Sequence, residues 1–331
     1  MNEENTRWTA EAVEEMARSY RLPLAFLTAV RVGVIDSLLA GPATAGDLAA
    51  SCKVDRDSLE RLLNLLVSVG LLVRNAGAYA LAPDAESAIG GRLIEGLRHT
   101  ADGLDKWLAL RSVLESGRAE FDDDLDVTLD PDRNEHFIRA MHAFAGPVAA
   151  RFARIVPRRD ARTFLDLGGG PGTFCFALLE SWPGLDAWLA DLPLTLRVTR
   201  RIAGERGLAS RLHLVEADFY RDRSSNLGGP YDLVLVSAVL HAEGEEENRD
   251  LLGRVRRIVA PGGRIVIREN LLAEDRTSPE RAALFDVHML VSTRRGRCYT
   301  LSEVGSMLEG AGFAGPRLLS DLSEGFVVAD A

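Results

Sequence analysis

"DLGGGPGTF", residues 166–174, sets four glycines into five positions directly after an apolar, β-type run at 163–165. A turn so free of side chains lets the backbone approach something closely. Three occupants are open to it: a phosphate, a nucleoside or a neighbouring helix. As a dinucleotide fingerprint starting at Gly168, its third glycine position would fall on Thr173; the glycines instead run Gly168, Gly170, Gly172. Pro171 also lacks the N–H that a phosphate cradle would use. The stretch speaks against a diphosphate, and the choice between a ligand and a bare turn passes to the runs that follow.

Short β-type runs at 163–167, 187–190, 212–215, 232–236 and 264–268 alternate with helix-type segments. That is the pattern of a doubly wound α/β domain, a parallel sheet covered on both faces. Such sheets bind ligands beyond the carboxyl ends of their strands. The second run, "AWLAD", ends in Asp191, a carboxylate about twenty residues past the glycines, where such folds hold a ribose diol. The third, "VEADFY", puts Asp218 beside Phe219 and Tyr220. An acid and a ring there suit the amine and face of adenine, or else an N-cap and a core ring. Taken together, the three strand tips suit an amino-acid end, a ribose and an adenine, with no diphosphate between them.

The pattern differs before residue 160. From 9 to 117 apolar residues recur at threes and fours, as in Leu59, Leu62, Leu63, Leu66 and Val67, so this half reads as mainly helical. Residues 43–83 run helix, turn, helix, then two short strands about Asn75-Ala76-Gly77, a winged-helix outline. Its would-be recognition helix, 55–69, carries Asp55, Asp57 and Glu60 against Arg56 and Arg61, whereas a groove-reading helix offers basic and amide side chains. A structural role in packing or dimer formation is expected. The acidic stretch "FDDDLDVTLDPDR", 121–133, reads as a solvated connection rather than a divalent-metal site. His136 and His142 on the next helical segment are six apart, a spacing that does not put two imidazoles on one helix face.

The 331 residues exceed what one small core needs. A net charge of -10 gives no general attraction to nucleic acid or anionic lipid, so neither is an expected partner. Cys52, Cys175 and Cys298 are an odd three without CxxC or metal spacing, which suits a reducing compartment. The polar N-terminus and the lack of a bilayer-length apolar run complete the expectation of a cytoplasmic protein.

DLGGGPG, DLP after the second strand, ADFY, VLH after the fourth, LAPGGRIVIRE, and FDVHMLV followed by YTLSEVGSMLEGAGF closely resemble the class I S-adenosylmethionine-dependent O-methyltransferases of plant caffeate and bacterial polyketide type. The resemblance covers most of the chain. It implies a Rossmann-like sheet of seven strands, the last antiparallel, behind a mainly helical, winged-helix-like dimerisation domain. The corresponding expectation is a dimerisation domain at 1–100, a helical linker at 101–160 contributing to the substrate pocket, and a cofactor-binding domain at 161–331.

In the site, the resemblance implies that Asp166, Gly168, Gly169 and Gly170 lie against the methionine part of S-adenosylmethionine, with Asp191 and Leu192 at the ribose, Asp218 and Phe219 at the adenine, and Ser237 nearby. S-adenosylhomocysteine would be the product, and no metal is expected. His241 falls where the family has its catalytic base, and a histidine suits proton transfer near neutrality; an ordinary loop histidine is the alternative. Glu269 matches the first of two glutamates that flank that base in plant members, or is a structural salt-bridge acid. The second position is Cys298, and Ala242-Glu243 replaces the family's Asp-Trp. A thiol does not substitute for a carboxylate beside an imidazolium.

The acceptor is expected between Phe137, Met141 and Phe144 on one segment and Asp286, His288 and Met289 on another, with His288 a rival base. Their apolar character favours an aromatic or polyketide-like acceptor, and core packing explains the same residues. "STRRGR", 292–297, adds three arginines that would meet an acidic group on the acceptor or only water. The reading is therefore a homodimeric small-molecule O-methyltransferase. Its alternatives are C- or N-methylation, a non-methylating use of the same cofactor, and a winged-helix regulator that responds to a ligand.

Overall fold

The computed structural model describes residues 8–91, 93–120 and 130–331; most of the acidic stretch at 121–133 lies outside the described residues. The chain divides into two compact units, Met1–Leu104 and Asp105–Ala331.

The first unit contains α1 (Ala10–Ser19), α2 (Arg21–Arg31), α3 (Val34–Ala40), β1 (Ala43–Thr44), α4 (Ala45–Cys52), α5 (Arg56–Ser68), β2 (Leu72–Asn75), β3 (Ala78–Leu81), α6 (Pro83–Ile89) and α7 (Leu93–Asp102). Thr44 and Asp47 form a reciprocal capping box that starts α4, and the Asp55 side chain accepts from Ser58 N–H to start α5. Helix α5 buries Leu59, Leu63 and Leu66 on one stripe. Its polar side chains turn to the wing: Arg74 pairs with Glu60 at 3.0 Å, and the Tyr79 hydroxyl donates to Asn64 at 2.9 Å. The two-residue hairpin loop Ala76-Gly77 has positive φ at both residues, the turn that matches strand twist.

In the second unit, α8 (Leu104–Leu108), which begins on the last residue of the first, α9 (Leu110–Ser116) and α10 (Pro131–Ile155) precede the sheet. The strands are β4 (Thr163–Leu167), β5 (Asp186–Asp191), β6 (Leu212–Glu216), β7 (Tyr231–Ser237), β8 (Val259–Arg268), β9 (Ala314–Leu318) and β10 (Phe326–Asp330). Between them lie α11 (Thr173–Ser181), α12 (Pro193–Glu205), α13 (Glu245–Ile258), α14 (Glu280–Ser292) and α15 (Leu301–Gly310). The sheet order is β6-β5-β4-β7-β8-β10-β9. The neighbours from β6 to β8 are parallel, and β10 runs antiparallel to both β8 and β9.

Alternate side chains along each strand feed two cores. Phe164, Leu233, Leu235, Val266, Phe326 and Val328 enter the core that includes Phe152 and Phe176. Leu165, Val234, Val236, Ile265, Ile267 and Val327 enter the other, with Leu251, Val255 and Met307. A strand buried on both faces is continuously apolar, which is why the runs stand out in the sequence. Strand β8 begins at Val259, earlier than the 264–268 run, because it continues through Pro261-Gly262-Gly263 to pair Val259 with Tyr231 across a register irregularity. The strand order reverses between β4 and β7, so the loops after these two strands flank the crevice where open α/β sheets take ligands.

Candidate active site

The glycine turn leaves β4 at Leu167 and ends as the N-cap of α11 at Gly172. Gly168, Gly170 and Gly172 all have positive φ, a region that other residues enter only under strain. Gly168 N–H donates to Ala190 carbonyl at 2.8 Å, and Thr199 hydroxyl to Gly170 carbonyl at 2.7 Å, so the turn is tied to β5 and α12. A Cβ on Gly168 would stand 2.6 Å from Val239 Cγ2 and 3.2 Å from Phe219 Cζ. Backbone of the β4 loop thus meets side chains of the β7 and β6 loops, and three strand tips converge on one point.

Two acids lie beneath. Asp166 is fully buried, with Oδ2 accepting only a Cys175 thiol at 3.8 Å and Oδ1 without a partner. Burial, then the neighbouring Asp191 charge, pushes it up to about 7. Asp191 accepts Gly170 N–H at 2.8 Å and Leu192 N–H at 2.7 Å; burial pushes it up to about 6 against those bonds. Leu192 is the N-cap position of α12. Asp218 accepts Arg221 N–H at 3.0 Å, the capping geometry of a turn. Ser237 is the last residue of β7, half-buried and paired with Arg268.

These residues fit the expected cofactor. A side-chain-free cradle, an acid at the second strand tip and a ring at the third suit an adenosyl amino acid. The orphaned Asp166 oxygen is a buried acceptor with no donor of its own. Among the described residues no group of three His, Cys, Asp or Glu is placed to hold a metal ion.

His241 lies on a short 3₁₀ turn, Leu240–Ala242, just beyond β7. Its Nδ1 is 2.6 Å from Glu269 Oε2, while Glu269 Oε1 accepts N–H from Val239 at 2.9 Å, Leu240 at 2.8 Å and His241 at 3.3 Å. Glu269 follows β8 and is 3% exposed. Burial raises its carboxyl, but His241, Arg268 and the hydrogen bonds outweigh this and hold it below the usual carboxylate range. An ionised carboxylate only accepts, so His241 Nδ1 carries the proton of that bond, and in the neutral imidazole this tautomer leaves the lone pair on Nε2. The Phe285 ring meets the imidazole edge-on at 5.0 Å between centroids.

Cys298 is buried, its thiol pushed up to about 12 by burial and then by the Asp286 and Glu269 charges. Its N–H donates to Asp286 Oδ1 at 2.6 Å. His288 stacks on Trp107 at 6.1 Å and tilts against Phe285 at 5.8 Å, so a line of rings runs from His241 to α8. Trp107 escaped the sequence reading; a lone tryptophan on a five-residue helix carries no local signal. Met289 is buried and Met141 half-buried, whereas Phe137 packs against the core below the sheet and Phe144 is 48% exposed. Of the three arginines, Arg295 pairs with Glu247 and Arg297 with Glu303.

Residues 118–314 match the family model "O-methyltransferase domain" and residues 14–88 match "O-methyltransferase dimerisation domain". The chain is 32% identical to 3-amino-4-hydroxybenzoate 4-O-methyltransferase of Streptomyces cremeus, over 91% of this chain and 84% of that one. It is 29% identical to 3-hydroxy-5-methyl-1-naphthoate 3-O-methyltransferase of Streptomyces sahachiroi, over 90% and 87%. PigF, solved with SAH, shares the fold at a TM-score of 0.85 and 24% identity, over 98% of this chain and 99% of that one. With both of its segments matched, the chain belongs to the S-adenosylmethionine-dependent O-methyltransferases that carry an N-terminal dimerisation domain.

Proposed function

We propose that this chain methylates a hydroxyl of a small aromatic or polyketide-like natural product, with His241 as the general base. The observation that carries the reading is the 2.6 Å pairing of His241 Nδ1, just beyond β7, with buried Glu269, just beyond β8. The cofactor supplies an electrophilic methyl group on a sulfonium. The chain's own part is to align the acceptor and take its proton. Glu269 holds the tautomer that leaves Nε2 free to accept that proton, and Phe285 fixes the ring plane. Asp166, Gly168, Gly169, Gly170, Asp191, Leu192, Asp218, Phe219 and Ser237 hold the cofactor. Trp107, Phe285, His288 and Met289 form the wall for a flat acceptor, in keeping with relatives named for a hydroxybenzoate and a naphthoate.

The active form is a homodimer in the cytoplasm, where the three free cysteines stay reduced. Helix α1 supports the pairing: it buries none of its own residues and leaves Val13, Met16 and the following Tyr20 exposed. Replacing Val13 and Met16 by Asp should give a monomer in light scattering.

Incubation with S-adenosylmethionine and a panel of phenolic polyketides should give a product heavier by one methyl, and His241→Ala should abolish it. Full rate retained in His241→Ala removes the base role. Methylation at carbon or nitrogen is the second reading, favoured by Cys298 standing where plant members have a second glutamate and by Ala242-Glu243 in place of Asp-Trp; the NMR shift of the new methyl decides.

A further inference from the structure

Asn248 heads the stripe 248, 251, 252, 255 of α13, whose other members Leu251, Leu252 and Val255 are buried in the hydrophobic core. An amide in that place has no hydrophobic reason to be there, and burying it is costly unless its polar atoms are met. Here they are met in full. Oδ1 accepts from the Tyr220 hydroxyl at 2.6 Å. The two Nδ2 hydrogens serve the Leu240 carbonyl at 2.8 Å and the Tyr299 hydroxyl at 3.0 Å, and the Glu243 carbonyl at 3.3 Å shares one of them. The Tyr299 hydroxyl in turn donates to the Glu243 carbonyl at 2.7 Å.

Leu240 and Glu243 bracket His241. The turn that carries the histidine is therefore gripped on two sides: Glu269 takes its N–H groups, and Asn248 takes its carbonyls. Ala242 and Gly244, on the same turn, bring no polar side chain of their own. Through Tyr220 the amide also reaches the β6 loop, next to the Phe219 ring that lies against Gly168.

We propose that Asn248 is a positioning residue for methyl transfer, fixing the 239–243 turn, and with it the His241 ring, in register with the β6 loop that borders the cofactor cradle. This rests on His241 being the base proposed above.

The test uses Asn248→Leu, which continues the apolar stripe, and Tyr220→Phe, which removes one hydroxyl. Thermal midpoint, calorimetric affinity for S-adenosylhomocysteine, acceptor KM and kcat are measured for each, together with the His241 Nδ1 proton in 15N-edited spectra, assigned through His241→Gln. Asn248→Leu should stay folded and keep S-adenosylhomocysteine affinity and acceptor KM within about threefold, while kcat falls about 10–100-fold, the scale of a base misplaced by about 1 Å. Its Nδ1 proton signal should broaden or vanish. Tyr220→Phe should lower kcat by about 3–10-fold, the scale of one neutral hydrogen bond.

A folded Asn248→Leu with kcat within twofold of wild type and an unchanged Nδ1 signal overturns the proposal. Should that variant fail to fold, Tyr220→Phe at wild-type kcat overturns it instead. Wild type with a protected Nδ1 proton but no methylated hydroxyl in any acceptor sinks the functional reading alone, since the loss of that signal in Asn248→Leu reports the turn directly.

Discussion

Glu269→Gln separates orientation of the base from the architecture of its loop. The glutamine carbonyl can take the place of Oε1 and keep the three N–H bonds from Val239, Leu240 and His241. Its amide nitrogen then stands where Oε2 was, 2.6 Å from His241 Nδ1. Two N–H donors cannot face each other at that distance, so the imidazole must move its proton to Nε2. An Nε2 that already carries a proton accepts none from the acceptor hydroxyl. A positioned general base is worth about 10²–10⁴-fold, so kcat should fall by that factor, or about 3–5 kcal/mol of barrier. Calorimetric affinity for S-adenosylhomocysteine should stay within about threefold, because no cofactor residue has changed. The double variant with His241→Ala should be no slower than His241→Ala alone, since the glutamine keeps the three backbone bonds and the substitution acts only through the ring. A Glu269→Gln enzyme within threefold of wild-type kcat, or a double variant whose losses multiply, refutes the reasoning.

Gly168→Ala should weaken S-adenosylhomocysteine binding at least tenfold in calorimetry, because the new methyl stands 2.6 Å from Val239 Cγ2 at a φ of +70°; unchanged affinity would mean the cradle is not where the cofactor lies. Trp107→Ala should raise acceptor KM about 3–10-fold with kcat nearly constant, the scale of one lost ring stack, and an unchanged KM removes Trp107 from the pocket wall. Stability of the ligand-free protein should fall as pH rises. Asp166 and Asp191 are pushed from 3.8 up to about 7 and about 6, so in that window the native chain holds protons that the unfolded chain has released. The slope is up to about 1.4 kcal/mol per pH unit for each group, and the stabilisation is complete below the unfolded value. Asp166→Asn should flatten the dependence of the thermal midpoint between about pH 4 and 7, and an unaltered slope refutes the assignment.

How much of this was legible in the sequence follows from which contacts are local. The inner strands β4, β7 and β8 could be read because burial on both faces makes them largely apolar, and the first three strands are each closed or followed by a residue with chemistry: Gly168, Asp191, Asp218. The start of β8 could not, because it depends on a register irregularity opposite Tyr231 rather than on apolar composition. Glu269 entered only through resemblance. Nothing within reach of residue 241 points to a partner 28 positions away until β7 and β8 pair in parallel with Ser237 opposite Arg268, which delivers the residue after β8 to the turn after β7. The same logic hides Trp107, whose significance begins only when α14 brings His288 to it. Asn248 did leave a mark, an amide at the head of an otherwise apolar helical stripe. A polar residue in a core position reports that something must satisfy it, and helix periodicity cannot say what; here the answer, two carbonyls on either side of His241, exists only after the turn has folded against α13.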